Sequence, residues 1–166
     1  QNINPAVMRE GVVVQMTWPG APTVYYGDEA GVCGFTDPDN RRTYPWGHED
    51  KELIDFHKAA IKMHKENEVL RTGSYKQLYS AHNVIAYGRF TSDDAVIVVV
   101  NNGEDEIRVN IPAWETGLAM DDDVEQIMVT FEGGYSTDRQ GYRLKDGILN
   151  IGLRKTSATV LRRLRW

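Results

Sequence analysis

The sequence predicts a chain in two parts: an α/β segment over residues 1–72, then an all-β antiparallel sandwich of Greek-key type over residues 73–166. Three observations carry this. Before Gly73, two stretches show helical apolar spacing, with a short β-favouring run and a long polar loop between them. After Gly73, short β-branched and aromatic runs alternate with turn residues, and no helical pattern returns. The change falls at Arg71–Ser74, which places the boundary there.

Asn4-Pro5-Ala6 opens the first helix, because proline is tolerated in the first turn and Asn4 can cap it. Val7, Met8, Val12, Val13 and Met16 are expected to form its apolar face, and Trp18-Pro19-Gly20-Ala21-Pro22 ends it. Thr23-Val24-Tyr25-Tyr26 reads as a short strand stopped by Gly27, and a polar loop follows from Asp28 to Gly47. Glu49 to Glu66 is the clearest helix. Leu53, Phe56, Ala60 and Met63 with Ile54, His57 and Ile61 make one broad stripe, and the acids come early and the lysines late, as the helix dipole favours. Helix, strand, loop, helix is the grammar of an α/β repeat whose strand end carries a functional loop.

In the second part, strands are expected near Tyr75–Tyr79, Val84–Phe90, Ala95–Asn101, Ile107–Ile111, Glu125–Phe131, Tyr142–Leu144, Ile148–Ile151 and Ala158–Leu164. Asn101-Asn102-Gly103 and Gly133-Gly134 mark turns, and Lys145-Asp146-Gly147-Ile148 reads as a tight hairpin. The run Ala95–Val100 is apolar throughout and reads as a buried strand; no apolar run is long enough to cross a bilayer as a helix.

The chain has 166 residues, 41% of them hydrophobic, and a net charge of -5, which argues against a general nucleic-acid binder. The single Cys33 permits no internal disulfide and no cysteine-based zinc site. His48, His57, His64 and His82 lack metal-ligand spacing, Asp121-Asp122-Asp123 reads as a solvated loop, and no cofactor-binding fingerprint is present. Neither a metal nor a cofactor is expected. The chain begins with Gln1, so a processed chain or a piece of a longer protein is expected.

The segment Pro19–Gly31 (PGAPTVYYGDEAG), followed by Asp37–Trp46 (DPDNRRTYPW), resembles the α-amylase family of glycoside hydrolases, in particular its cyclomaltodextrinase, neopullulanase and maltogenic-amylase branch. The passage His64–Tyr75 (HKENEVLRTGSY) is similar to that family's transition from barrel to sandwich. The resemblance is specific from Met16 to Trp46 and only architectural in the sandwich. It implies that residues 1–72 are the last helix–strand–loop–helix of a (β/α)8 barrel, with Thr23–Tyr26 as the eighth strand. The polar loop then belongs to the active-site face, where barrel enzymes place their loops.

The resemblance also implies that Asp37 and Arg41 bind a sugar on the non-reducing side of the cleavage point. The chemistry suits this, since a carboxylate offers only acceptors and a guanidinium only donors, and together they can saturate a vicinal diol. The bland alternative is an ion pair internal to the loop. Arg42 reads as structural or solvent-exposed, Trp46 as a packing anchor more readily than a sugar platform, and Tyr25, Tyr26, Asp28 and Glu29 as structural.

No catalytic residue is assigned. Retaining hydrolysis needs a nucleophile and a general acid astride the scissile bond, and nothing here resembles the motifs that carry them in this family. The implied activity is hydrolysis of α-glucosidic bonds in maltodextrins or cyclodextrins by an intact enzyme. An α-glucan oligosaccharide is the implied ligand, this chain supplies one cleft loop and the sandwich, and it is inactive alone. A barrel strand needs neighbours, so association with the missing N-terminal barrel portion or with a second copy is expected. The reading from a different class is a non-catalytic carbohydrate-binding or interaction module, to which the sandwich aromatics Tyr75, Tyr79, Tyr87, Trp114, Tyr135, Tyr142 and Trp166 would contribute.

Overall fold

The computed structural model describes residues 4–164; Trp166 lies outside them. Helix α1 spans Pro5–Thr17, α2 Lys51–Glu66 and α3 Glu68–Thr72. Nine strands follow: β1 Ser74–Ala81, β2 Val84–Phe90, β3 Ala95–Asn101, β4 Ile107–Pro112, β5 Asp123–Phe131, β6 Gly134–Ser136, β7 Gln140–Arg143, β8 Ile148–Leu153 and β9 Ser157–Arg163. One sheet of seven strands runs β1-β2-β3-β9-β5-β6, with β7 also paired to β5, and a second sheet is made of β4 and β8. Every pairing is antiparallel.

The starts of α1 and α2 follow from their caps. The Asn4 side chain accepts the Ala6 amide at 3.0 Å, and Asp50 accepts the Leu53 amide at 2.9 Å. The expected helix from Glu49 therefore begins at Lys51, because Asp50 is spent as its cap and Glu49 turns back onto the Gly47 amide at 3.0 Å. The apolar face of α1 is largely the expected one, with Met8 partly buried against the core, but it leaves out Val7 and takes in Ala6. Ala6, Val12, Val13 and Met16 are buried but Val7 is exposed. Polar partners also anchor the helix: the Thr17 hydroxyl meets the Tyr87 hydroxyl at 2.6 Å, and Arg9 reaches the carbonyls of Phe131 and Glu132 at 3.4 and 3.5 Å.

Thr23–Tyr26 forms no strand. A strand exists only through hydrogen bonds to a neighbour, and among the described residues none lies beside it; the Thr23 carbonyl accepts from the Gln15 side-chain amide instead. In this structure the first part of the chain is thus helices and loops rather than an α/β repeat, and antiparallel sheet makes up most of the regular structure.

Strand β3 shows how the layers form. Val96, Val98 and Val100 pack with Val13, Met16, Phe56, Ala60 and Leu70 under the helices, while Ile97 and Val99 pack with Ile111, Leu149 and Ile151 of the small sheet. Side chains alternate across a strand, so a run apolar at every position must be covered on both faces. The sandwich is consequently lopsided, with the two-stranded sheet on one face of the large sheet and the helices on the other. Sequence reasoning missed β6, three residues long. The expected hairpin at Lys145–Ile148 is a turn with positive φ at Asp146 and Gly147, and it joins strands of different sheets: β7 pairs with β5, β8 with β4.

Two ionisable residues, Arg89 and Glu10, are buried between the layers, and Arg89 ties them together. Arg89 on β2, 2% exposed, donates to the carbonyls of Thr17 and Leu70 at 2.9 Å, Gly73 at 2.8 Å and Ser74 at 3.4 Å. Glu10 on α1 is 4% exposed, and its Oε1 has no hydrogen-bond partner. Burial alone pushes its carboxyl up to about 7. A raised carboxyl favours the folded state most when protonated, so this contribution is complete below the ordinary value of 4.5 and is lost as pH rises through about 7. From pH 5 to pH 8 the cost is about 2.5 kcal/mol. Glu10→Gln is therefore expected to raise the melting temperature clearly at pH 8 and hardly at pH 5; an equal change at both values would contradict this.

Candidate functional site

The polar loop is built on a short 3-10 turn at Asp28–Ala30. Glu29 accepts the Gly27 amide at 2.9 Å, the Val32 amide returns to the Gly27 carbonyl at 2.9 Å, and the Asp50 amide at the foot of α2 bonds to the Ala30 carbonyl at 3.1 Å. Both ends of the loop are thereby pinned together. Its limbs touch at Gly34, where an added Cβ would lie 2.4 Å from the Asn40 Cα, so only glycine fits this approach. Beyond it the Asn40 amide bonds to the Thr36 carbonyl at 3.2 Å and the Arg41 amide to the Pro38 carbonyl at 3.0 Å. This folds Asp37–Arg41 into a single tight turn, the conformation that Asp-Pro-Asp-Asn favours.

The turn brings Asp37 and Arg41 together. Arg41 Nε donates to Asp37 Oδ1 at 3.1 Å and Arg41 Nη2 to Asp37 Oδ2 at 2.9 Å, a two-point fork with side chains 67% and 59% exposed. Arg42 and Asp39 form a second exposed pair, at 3.0 and 2.6 Å to Asp39 Oδ1, and the guanidinium holds the Asp39 carboxyl below its usual range. The Tyr26 hydroxyl donates to the Arg42 carbonyl at 2.9 Å. The loop-internal ion pair is therefore present. It uses two of the Arg41 donors and leaves the carboxylate further lone pairs, so the fork can still engage a polyol along its outer edge.

Trp46 is 80% exposed and lies in a tilted contact with Tyr44, with ring centres 4.5 Å apart and planes at 50°. The expected packing anchor is thus a surface aromatic, because Gly47 and the turn at Glu49 carry the chain to α2 without drawing the indole inward. Phe35, 76% exposed, is a second apolar side chain on the same loop. Desolvation, then the carboxylates of Glu29 and Glu49, push the Tyr44 hydroxyl up. Asn40 Oδ1 is buried without a hydrogen-bond partner. Reasoning from sequence passed over Tyr44 and Phe35; the available signal was aromatic residues spaced through a loop otherwise made of charges, prolines and glycines.

His57 and His64 have structural roles. His57 Nδ1 lies 2.8 Å from the Leu53 carbonyl and His64 Nδ1 2.7 Å from the Met16 carbonyl. Burial, and then the neighbouring Glu29 carboxylate, push the Asp28 carboxyl up at the start of the loop. What the site offers is a rigid, solvent-facing arrangement of a carboxylate–guanidinium fork, a second such pair and a tryptophan, all within ten residues. Such a set suits recognition of hydroxyl-rich ligands.

No family model matches the chain. An amylopullulanase of Thermoanaerobacter thermohydrosulfuricus is 43% identical over 108 residues, 58% of this chain and 7% of that protein. A cyclomaltodextrinase of Thermoanaerobacter pseudethanolicus is 41% identical over 99 residues, 58% of this chain and 17% of that protein. The chain thus spans 7% and 17% of the lengths of these two curated relatives. The fold superposes on an α-amylase from Geobacillus thermoleovorans solved with acarbose, with a TM-score of 0.82 and 23% identity, over 98% of this chain and 34% of that one.

Proposed function

We propose that this chain, a homologue of amylopullulanases and cyclomaltodextrinases, works as the C-terminal part of an α-amylase-family glycoside hydrolase that cleaves α-glucosidic bonds in maltodextrins or cyclodextrins. Residues 1–72 close the (β/α)8 barrel and residues 73–166 form the sandwich that supports it. In the assembled barrel Thr23–Tyr26 gains the neighbouring strands it lacks alone. The carboxylates that perform the chemistry belong to the remainder of the enzyme, and this chain contributes one wall of the cleft. Asp37 and Arg41 hold the sugar there, with the fork opening towards a vicinal diol.

The observation that carries the reading is the exposed Asp37–Arg41 fork on a loop pinned at both ends. A loop whose polar side chains are already ordered loses little entropy when it binds. The concentration of Val7, Trp18, Tyr25, Tyr26, Phe35 and Trp46 among the exposed apolar side chains supports a partner for the first part of the chain.

Two measurements test this. Incubated alone with maltoheptaose or β-cyclodextrin, the 166-residue chain is expected to release no reducing ends; steady turnover would refute the division of labour. On size-exclusion chromatography it is expected to elute above the monomer mass, and a stable monomer at all concentrations would count against the missing neighbour.

A further inference from the structure

A polar cleft of about 270 Å³ lies between the small sheet and the β5–β7–β9 side of the large one, far along the chain from the 28–47 loop. Its chemistry is carried by Arg108, Arg154, Gln126, Gln140, Tyr142 and Thr159. All six side chains can donate hydrogen bonds, and no carboxylate lines the cleft. This is unusual in a chain of net charge -5. Among the described residues, Arg41, Arg42, Arg139, Arg143, Arg162 and Arg163 all pair with acids, whereas no ion pair joins Arg108 or Arg154 to a carboxylate.

Both guanidinium groups are nevertheless held in place. Arg108 Nη1 donates to Asn150 Oδ1 at 2.6 Å, and Asn150 in turn donates to Asn110 Oδ1 at 2.7 Å. The guanidinium lies across Gly152, where an added Cβ would be 3.2 Å from Arg108 Nη2, so the bare backbone of β8 is what lets it lie there. Arg154 is fixed by the Phe131 ring, 5.0 Å from the ring centre. Glu106 lines the adjoining pocket that Arg108, Gly152 and Arg154 also border, but among the described residues it forms no ion pair with either guanidinium; two such groups with amide and hydroxyl donors around them are the complement of a compact oxyanion.

We infer that this cleft binds a phosphate group, held by Arg108 and Arg154 and completed by the Gln126, Gln140, Tyr142 and Thr159 side chains. The inference does not depend on the role proposed for Asp37 and Arg41. A free phosphate ion and a phosphorylated sugar share this chemistry, and the arms of the experiment separate them.

The full chain is titrated calorimetrically with inorganic phosphate, glucose 6-phosphate and glucose at constant ionic strength, made up with chloride. Inorganic phosphate and glucose 6-phosphate are expected to bind at one saturable site, and glucose not at all. Equal affinity for the two assigns the phosphate group as the whole ligand, and tighter glucose 6-phosphate assigns a sugar phosphate. Arg108→Gln and Arg154→Gln should each weaken binding about tenfold, and the double substitution should abolish it, with the melting temperature in phosphate-free buffer unchanged. Gly152→Val, which leaves the charge intact but displaces the Arg108 guanidinium, should weaken it too. Arg143→Gln, which disturbs a pair with Asp121 and Asp123 elsewhere, should not. Absence of saturable phosphate binding, or binding that survives the double substitution, would overturn the inference.

Discussion

Replacing Arg89 with methionine is expected to destabilise the fold by about 3–5 kcal/mol, seen as a large drop in the urea midpoint with the m-value preserved. The guanidinium is buried where α1, α3 and the start of β1 meet β2. It is the shared donor for the carbonyls of Thr17, Leu70, Gly73 and Ser74, which come from three separate elements and their junctions. Methionine fills much of the same volume but donates nothing, so these carbonyls lose a common partner in a dry setting, each at a cost of about 1–3 kcal/mol where water cannot replace it. Burial lowers the proton affinity of the Arg89 guanidinium, the direction in which desolvation acts. Arg89→Lys should recover only part of the loss, because one ammonium cannot span the four carbonyls. A midpoint within experimental error of the parent for Arg89→Met would show that the junction holds without this residue.

Phe56→Ala is expected to cost about 3–5 kcal/mol, the range for emptying a fully buried aromatic site. Phe56 is the innermost side chain of α2, wholly buried, with its ring 5.1 Å from that of Tyr135 on β6. It shares a cluster with Val13 and Met16 of α1 and with Val98 and Val160 of the large sheet, so its removal opens a cavity where the helices meet the sandwich. If the helices and the sandwich are one cooperative unit, fluorescence and circular dichroism should lose signal together at a single lowered midpoint. If the helical layer instead melted first, leaving the sheet signal at its original midpoint, the two layers would be energetically separate and the common core would be misdescribed. Phe56→Leu, which keeps most of the apolar volume, should cost markedly less.

Much of the fold was legible because the signals were local. The strands β2 and β3 begin and end where their β-branched runs meet turn residues, and the caps Asn4 and Asp50 are side chains that compete for the first amides of a helix. What was not legible depended on partners. Thr23–Tyr26 has the composition of a strand but no neighbour to bond, and composition cannot report that. The apolar run of β3 announced burial on both faces, but not that one cover would be helical and the other a two-stranded sheet. The buried Glu10 and Arg89 sit at positions that look polar and exposed by pattern, and only the tertiary junction explains them.

The candidate site divides the same way. Its tight turn follows from Asp37-Pro38-Asp39-Asn40, and the charges of Asp37 and Arg41 at a spacing of four could be read directly. The outward position of Trp46 could not, since a Pro-Trp pair before a helix gives no sign of which side the indole takes.

The most direct test of the central claim is the catalytic efficiency, on a maltodextrin of fixed length, of the longer enzyme proposed to contain this chain, with Asp37→Asn, Arg41→Gln and both together. If the fork grips the sugar, each single change lowers kcat/KM by about tenfold to a hundredfold, and the pair together falls less than the product of the two, because both act on one diol. The melting temperature stays where it was, since both side chains are exposed. Unchanged kcat/KM in the double variant would mean that the pair only braces its own loop, and the assignment of this segment to the substrate cleft would fail.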